Sequence, residues 1–232
     1  LTKHLPALPL FDETDVREAL ELLRPVPLGQ PQEVNHAFSF TYQDAGHLLG
    51  AASAGVTVRE EGREIQVLFS GDVGRFDAVL TKDPEPAPDA DYLVIESTYG
   101  NREHESIAGS EERLGEIVRR AAARGGKVLI PSFAVGRTQE LVYALHSLWL
   151  TGKIPGVPIY IDSPLAVNAT EVFRLHPEIF DQLEQLIERA KALFDFQLVR
   201  YVRDAAESKA LNTMNGPAII IAASGMAEAG RI

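Results

Sequence analysis

The sequence predicts an α/β chain in two successive regions. The first is a strand-rich α/β part over residues 1–100; the second, over residues 101–232, is a parallel sheet flanked by helices. Three observations predict this. Between residues 36 and 69, partly alternating runs rich in β-branched and aromatic residues read as strands. From residue 127 onward a unit recurs: a short apolar strand, a loop of small residues, then a helix, the pattern of a parallel sheet covered by helices. A hydrophobic content of 45% over 232 residues, with 24% charged, suits a globular chain with a substantial core.

Taken in order, residues 12–23 read as a helix: Val16, Ala19, Leu20 and Leu23 share one face, Asp12 or Thr14 caps it, and Pro25 and Pro27 close it. His36–Tyr42, Ala54–Val58 and Glu64–Phe69 read as strands, with Glu61-Gly62 as the turn between the last two. A Pro-rich acidic loop, Asp83–Asp89, leads to Tyr92-Leu93-Val94-Ile95-Glu96, which reads as a buried strand. Ser110, Glu111 and Glu112 open a helix with Leu114, Ile117, Val118 and Ala121 inward, ended by Gly125-Gly126. The repeated units follow. The first is Lys127–Pro131, the loop Ser132–Arg137 and a helix through Leu141, Leu145 and Leu148. The second is Pro158–Ile161, the loop Asp162-Ser163-Pro164 and a helix begun by Asn168 with Glu171 as a capping box. The third is Ala218–Ile221, the loop Ala222–Gly225 and the start of a helix. In such sheets functional loops lie at the carboxyl ends of the strands.

Composition narrows the chemistry. There is no cysteine, so disulfides and thiolate ligands are excluded and any metal must sit on His, Asp or Glu. No apolar run approaches the ~20 residues of a membrane-spanning helix, no signal-peptide core follows Leu1, and a cytoplasmic protein is expected. The net charge of −11 gives no global attraction to phosphate, so a nucleic-acid partner requires a local basic channel. A start without Met and an end at Gly230-Arg231-Ile232 lead to the expectation of a partial chain.

Several residues are candidates for chemistry. His47, in Asp-Ala-Gly-His-Leu-Leu-Gly-Ala-Ala (44–52), sits among small residues directly after a strand and can point a neutral imidazole at a metal; a structural His is the competing reading. Asp72, in Ser-Gly-Asp-Val-Gly-Arg (70–75), is either a metal carboxylate at a strand end or an ordinary turn Asp. Glu96, in Ile-Glu-Ser-Thr-Tyr-Gly (95–100), is either an acid of the site or a salt-bridged strand end. The loops bearing Ser132 and Arg137, Ser163, and Ser224 each precede a helix whose N-terminal N–H groups suit phosphate, and each is equally consistent with a tight turn. No nucleotide-cofactor glycine fingerprint occurs.

These three motifs and three more, Pro-Ser-Phe-Ala-Val-Gly-Arg-Thr-Gln-Glu (131–140), Asp-Ser-Pro-Leu-Ala (162–166) and Ala-Ala-Ser-Gly-Met-Ala (222–227), follow one another in an order that resembles the β-CASP branch of the metallo-β-lactamase superfamily. The likeness is greatest to bacterial and archaeal ribonucleases related to the pre-mRNA 3′-end processing endonuclease. It implies that residues 1–100 are the later part of a metallo-β-lactamase αββα sandwich and that 101–232 are a β-CASP domain. It also implies a two-zinc phosphodiester hydrolase acting on single-stranded RNA. His47 and Asp72 would be zinc ligands, Asp72 bridging both ions, and Glu96 a catalytic acid near the leaving group. Ser132, Arg137, Ser163 and Ser224 would contact substrate, and Phe133 or Tyr99 would stack on bases. The family's His-x-His-x-Asp-His string is absent from these residues, and its two late histidines would fall beyond Ile232. The chain alone is therefore expected to be inactive, its zinc site completed elsewhere. A DNA-directed nuclease and a catalytically silent RNA-binding scaffold are the alternatives; a homodimer is a further expectation, and a membrane partner is not expected.

Overall fold

A computed structural model describes residues 9–103, 106–179 and 193–223. Helix α1 (Glu13–Glu21) starts where the sequence predicts: the Asp12 carboxylate accepts from the N–H groups of Thr14 and Asp15, and the Asp15 carboxylate accepts in return from the Asp12 N–H at 2.8 Å. The apolar row Val16, Leu20, Leu23 is exposed to solvent.

The first sheet runs in sequence order: β1 (Gln32–Asn35), β2 (Phe38–Asp44), β3 (Ala52–Glu60), β4 (Arg63–Phe69) and β5 (Tyr92–Val94). The first four strands are antiparallel and β5 lies parallel to β4. Glu61 and Gly62, both at positive φ, make the two-residue turn that the β3–β4 hairpin requires. β1 escapes the sequence reading because Gln-Glu-Val-Asn has no apolar alternation. The strand expected to be buried at 92–96 is corrected on two counts. It ends at Val94, and Tyr92, Leu93, Val94 and Ile95 are 53–63% exposed, because β5 is the edge of the sheet and no described element covers it.

The second sheet is all parallel and its helices alternate with its strands: α2 (Ile107–Ala123), β6 (Lys127–Ser132), α3 (Arg137–Leu150), β7 (Ile159–Asp162), α4 (Pro164–Leu175), β8 (Val199–Val202), α5 (Ala205–Thr213) and β9 (Ala218–Ala223), in the order β6-β9-β7-β8. Central β9 is almost wholly inside, with Ile219 and Ile221 fully buried. Two helix starts are corrected. Ser106 caps α2, one turn before Ser110. Ser163 caps α4 and Pro164 occupies its first turn, so Asn168 and Glu171 lie inside the helix. The β8–α5 unit, with Asp204 as the helix cap, is an additional repeat that the sequence reading did not separate. The helix expected after Gly225 lies outside the described residues. Among the described residues no helix is long and apolar enough to cross a membrane.

The two sheets meet through a small apolar seam. Leu80 is buried in the core of the second region, Leu49 packs against that core, and Leu48 touches Gly136.

Candidate metal and nucleic-acid site

β2, β4 and β5 point the same way, so the loops that follow them emerge at one edge of the first sheet. Those loops carry His47, Asp72 and Glu96. The loop after β2 closes on itself: Asp44 accepts from Gly46 N–H at 2.8 Å, Ala45 N–H donates to Ala51 O, and Ala51 N–H to Leu48 O. Gly46 and Gly50 take left-handed φ values of 65° and 83°, and the closure leaves His47 exposed at the tip.

The Asp72 loop is pressed against this one, backbone to backbone. Gly74 N–H donates to Ala45 O at 2.7 Å. A Cβ on Gly74 would overlap the Gly46 carbonyl and come within 2.7 Å of His47 N. A Cβ on Gly46 would in turn meet Pro84 N at 2.7 Å and Lys82 O at 2.8 Å. Thr81 Oγ1 donates to Gly46 O, and Glu85 N–H to Asp44 O. Two segments, the turn at Gly74 and residues 81–85, therefore converge on the Gly46 loop. The second glycine of Ser-Gly-Asp-Val-Gly-Arg (70–75) is required by contact, its φ needing no left-handed turn.

Glu96 ties the third loop to the second. Its N–H donates to Ser70 Oγ, while Ser70 N–H donates to Val94 O. Its carboxylate accepts from Val73 N–H and from Thr98 Oγ1, both at 2.8 Å. These bonds hold the Glu96 carboxyl below the usual glutamate range, the Val73 N–H first and the Thr98 hydroxyl second, with slight burial opposing and the nearby His47 adding a small lowering charge. Thr98 and Val73 are partners that sequence reasoning missed; a Thr two residues after an acid is the signal that could have found the first.

Among the described residues, no three His, Asp or Glu side chains come together as a metal-holding group. His47 and Asp72 are two exposed donors on touching loops, and both Glu96 oxygens are already bonded within the chain. The described residues by themselves do not make a zinc site.

In the second region the candidate residues separate. Strand register aligns Ser132 with Ala223 and Asp162 with Ala222, so β6, β9 and β7 end in one row. Ser132 is buried, its hydroxyl bonded to Thr138 Oγ1 and Phe133 O. Ser163 is buried as the cap of α4, accepting from Ala166 N–H at 3.1 Å. Arg137 is exposed and pairs with Glu140 at 2.8 Å. Ser224 lies outside the described residues. Phe133, Phe76 and Tyr99 are all more than half exposed, and the Arg102 guanidinium sits 5.2 Å over the Tyr99 ring.

The family model described as "Beta-Casp domain" matches residues 138–232. Ribonuclease TTHA0252 of Thermus thermophilus is 37% identical over 225 residues, covering 97% of this chain and 51% of that protein. Cleavage and polyadenylation specificity factor subunit 3 of Dictyostelium discoideum is 32% identical over 95% of this chain and 28% of its own length. Transcription termination factor FttA of Pyrococcus horikoshii is 32% identical over 94% of this chain and 34% of its own length. The chain thus spans about half, or less, of the curated relatives it matches.

Proposed function

This chain belongs to the β-CASP branch of the metallo-β-lactamase superfamily, and from that premise we propose that it is part of a zinc-dependent ribonuclease that hydrolyses phosphodiesters in single-stranded RNA. The observation that carries the reading is the convergence of the His47, Asp72 and Glu96 loops at one sheet edge, pinned at Gly46, Gly74 and Val73. The names of two relatives support it, one a ribonuclease and one a subunit of a cleavage factor.

His47 and Asp72 are assigned as two ligands of a site for two zinc ions, the remaining ligands lying outside the described residues. Bound zinc supplies an activated water and neutralises phosphate charge. Within this chain, the Val73 N–H and the Thr98 hydroxyl both bond the Glu96 carboxylate and favour its charged form. Its role in this reading is to orient a proton-bearing partner near the leaving oxygen and, through Val73, to brace the Asp72 loop. Arg137 contacts phosphate, and Phe133, Phe76 and Tyr99 offer faces on which bases stack. The buried Ser132 and Ser163 hydroxyls shape the loops that present these groups.

The test pairs metal analysis with cleavage of matched RNA and DNA oligonucleotides, on these 232 residues and on a longer protein that includes them. The expected result is weak zinc binding and no cleavage by the chain alone, with tight zinc binding and RNA cleavage by the longer protein. Two tightly held zinc ions on the 232 residues would overturn the shared site. Cleavage of DNA only would overturn the substrate, and tight RNA binding without cleavage by the longer protein would favour the scaffold alternative.

A further inference from the structure

Gln139, in the first turn of α3, is fully buried, and its side chain joins the loop 133–136 to α4. Its Nε2 donates to Thr170 Oγ1 at 2.9 Å, to Ala134 O at 3.2 Å and to Ala166 O at 3.4 Å. Its Oε1 has no partner among the described residues. Exchanging the two amide atoms would set an oxygen against the Ala134 and Ala166 carbonyls, so the network itself fixes the orientation. A buried acceptor left unpaired is unfavourable, and an apolar side chain of the same size would avoid it. What this position requires is the donor.

The donor holds one loop. Residues 133–136 leave β6 and enter α3, and each of their carbonyls accepts a hydrogen bond, Gly136 O from Glu140 N–H. Phe133 O accepts from Thr138 Oγ1 at 2.7 Å, Ala134 O from Gln139, and Val135 O from Arg137 N–H. The same loop leaves the Phe133 ring exposed at 63%, ends beside Arg137, and at Gly136 bears on Leu48, the neighbour of His47. Gly136 adopts a left-handed φ of 80°, and a Cβ there would collide with the Leu48 side chain. The loop is thus one of the places where the second region touches the loop that carries His47, Leu49 being the other residue of that loop packed on the second region's core.

We infer that Gln139 is a positioning residue, which locks the loop 133–136 to α4 and so sets Phe133, Arg137 and the Leu48 contact relative to the His47 loop. The consequence for RNA rests on the function proposed above; the lock itself does not. Gln139→Met keeps the volume and removes the donor. In the 232-residue chain we expect it to lower the backbone ¹⁵N order parameters of Ala134–Gly136 while leaving those of β9 unchanged. Affinity for a fluorescein-labelled single-stranded RNA should weaken about fivefold, the low end of losing one stacked base. Thr170→Val removes one acceptor and should loosen the loop less, and Thr170→Ser, which keeps the hydroxyl, should restore it. The Thr170 pair keeps the question open to test if Gln139→Met does not fold. Unchanged order parameters at 134–136 in Gln139→Met or Thr170→Val would overturn the inference whatever RNA does. So would a loosened loop with unaltered RNA affinity, if Phe133→Ala weakens binding in the same assay. Phe133→Ala and Arg137→Ala without effect would instead refute the RNA-binding reading, and the order parameters would still decide the lock.

Discussion

The two sheets of this chain are held together by different means. In the second, parallel β6, β9, β7 and β8 enclose a continuous apolar core that runs from Val118 through Leu145, Ile159 and Phe194 to Ile219 and Ile221. In the first, the buried apolar side chains among the described residues are Ala45, Leu68 and Leu80, and Leu80 belongs to the other region's core. Its strands are paired by hydrogen bonds, yet the apolar residues of β5 and α1 face solvent. Its order lies instead in the loops, where Gly46, Gly74, Thr81 and Glu96 are joined by backbone contacts and short hydrogen bonds. A candidate site can therefore be well defined on a layer whose described residues form no separate core. What fixes His47 and Asp72 is close approach of glycine backbones, and what anchors the layer to the second region is a seam of leucines.

The largest expected effect tests the core side of that contrast. Ile219→Ala empties a fully buried position in the central strand and should cost about 2–5 kcal/mol. Val94→Ala, an equally apolar position in β5, is 53% exposed and should stay within about 0.5 kcal/mol. Urea unfolding of both variants measures the pair. Comparable losses would mean that something covers β5 in solution, and the contrast between the two sheets would fail.

The same contrast explains what was legible in the sequence. The repeating strand–loop–helix units declared the parallel sheet, because strands buried on both faces, such as Ala218-Ile219-Ile220-Ile221, are continuous apolar runs. The short β8–α5 unit was not separated, since Val199-Arg200-Tyr201-Val202 mixes a charge into only four residues. The hairpin was legible from Glu61-Gly62. The exposure of Tyr92–Ile95 was not, because an apolar run reads as buried whether or not anything packs on it. In the site, His47, Asp72 and Glu96 stood out as chemistry-bearing types after strands. Gly74, Val73, Thr98 and Gln139 did not, because a close approach or a hydrogen bond across the fold has no signature in local spacing.

The second effect tests the loop side. Gly74→Ala places a methyl group on the Gly46 carbonyl, where no flexible side chain can yield. Forcing the two loops apart should cost about 1–3 kcal/mol, as overpacking does. It should also break the Val73 N–H bond to Glu96 and displace His47 from Asp72. In a longer, active protein, misplacement on the order of 1 Å should lower RNA cleavage roughly 10²-fold. Gly50→Ala is the control, since it adds a methyl group in open space and carries only the strain of a left-handed φ. If the two variants lose cleavage equally, the Gly46–Gly74 contact is not what sets the site.

The smallest effect returns to the core and is read through pH. His146 lies buried in α3, its ring stacked 4.3 Å from Phe196, with Trp149 stacked beyond at 5.6 Å from Phe196. Burial pushes its pKa below the ordinary histidine value, so the folded chain favours the neutral ring. The unfolded chain then takes up the proton first, and stability is full above the ordinary value and declines as pH falls through the lower folded one. Glu178 also titrates low, through its hydrogen bond from His176, and adds an acid-side loss of its own. His146→Phe keeps a ring in the stack and leaves that pair intact, so the difference between the two melting curves isolates His146. The wild-type midpoint should fall more steeply than the variant's on the acid side of neutrality, with Trp149 fluorescence reporting the change locally. Parallel midpoints across that range would show that the ring gains a proton without leaving the core, and that this part of the second region yields to charge as readily as the open layer does.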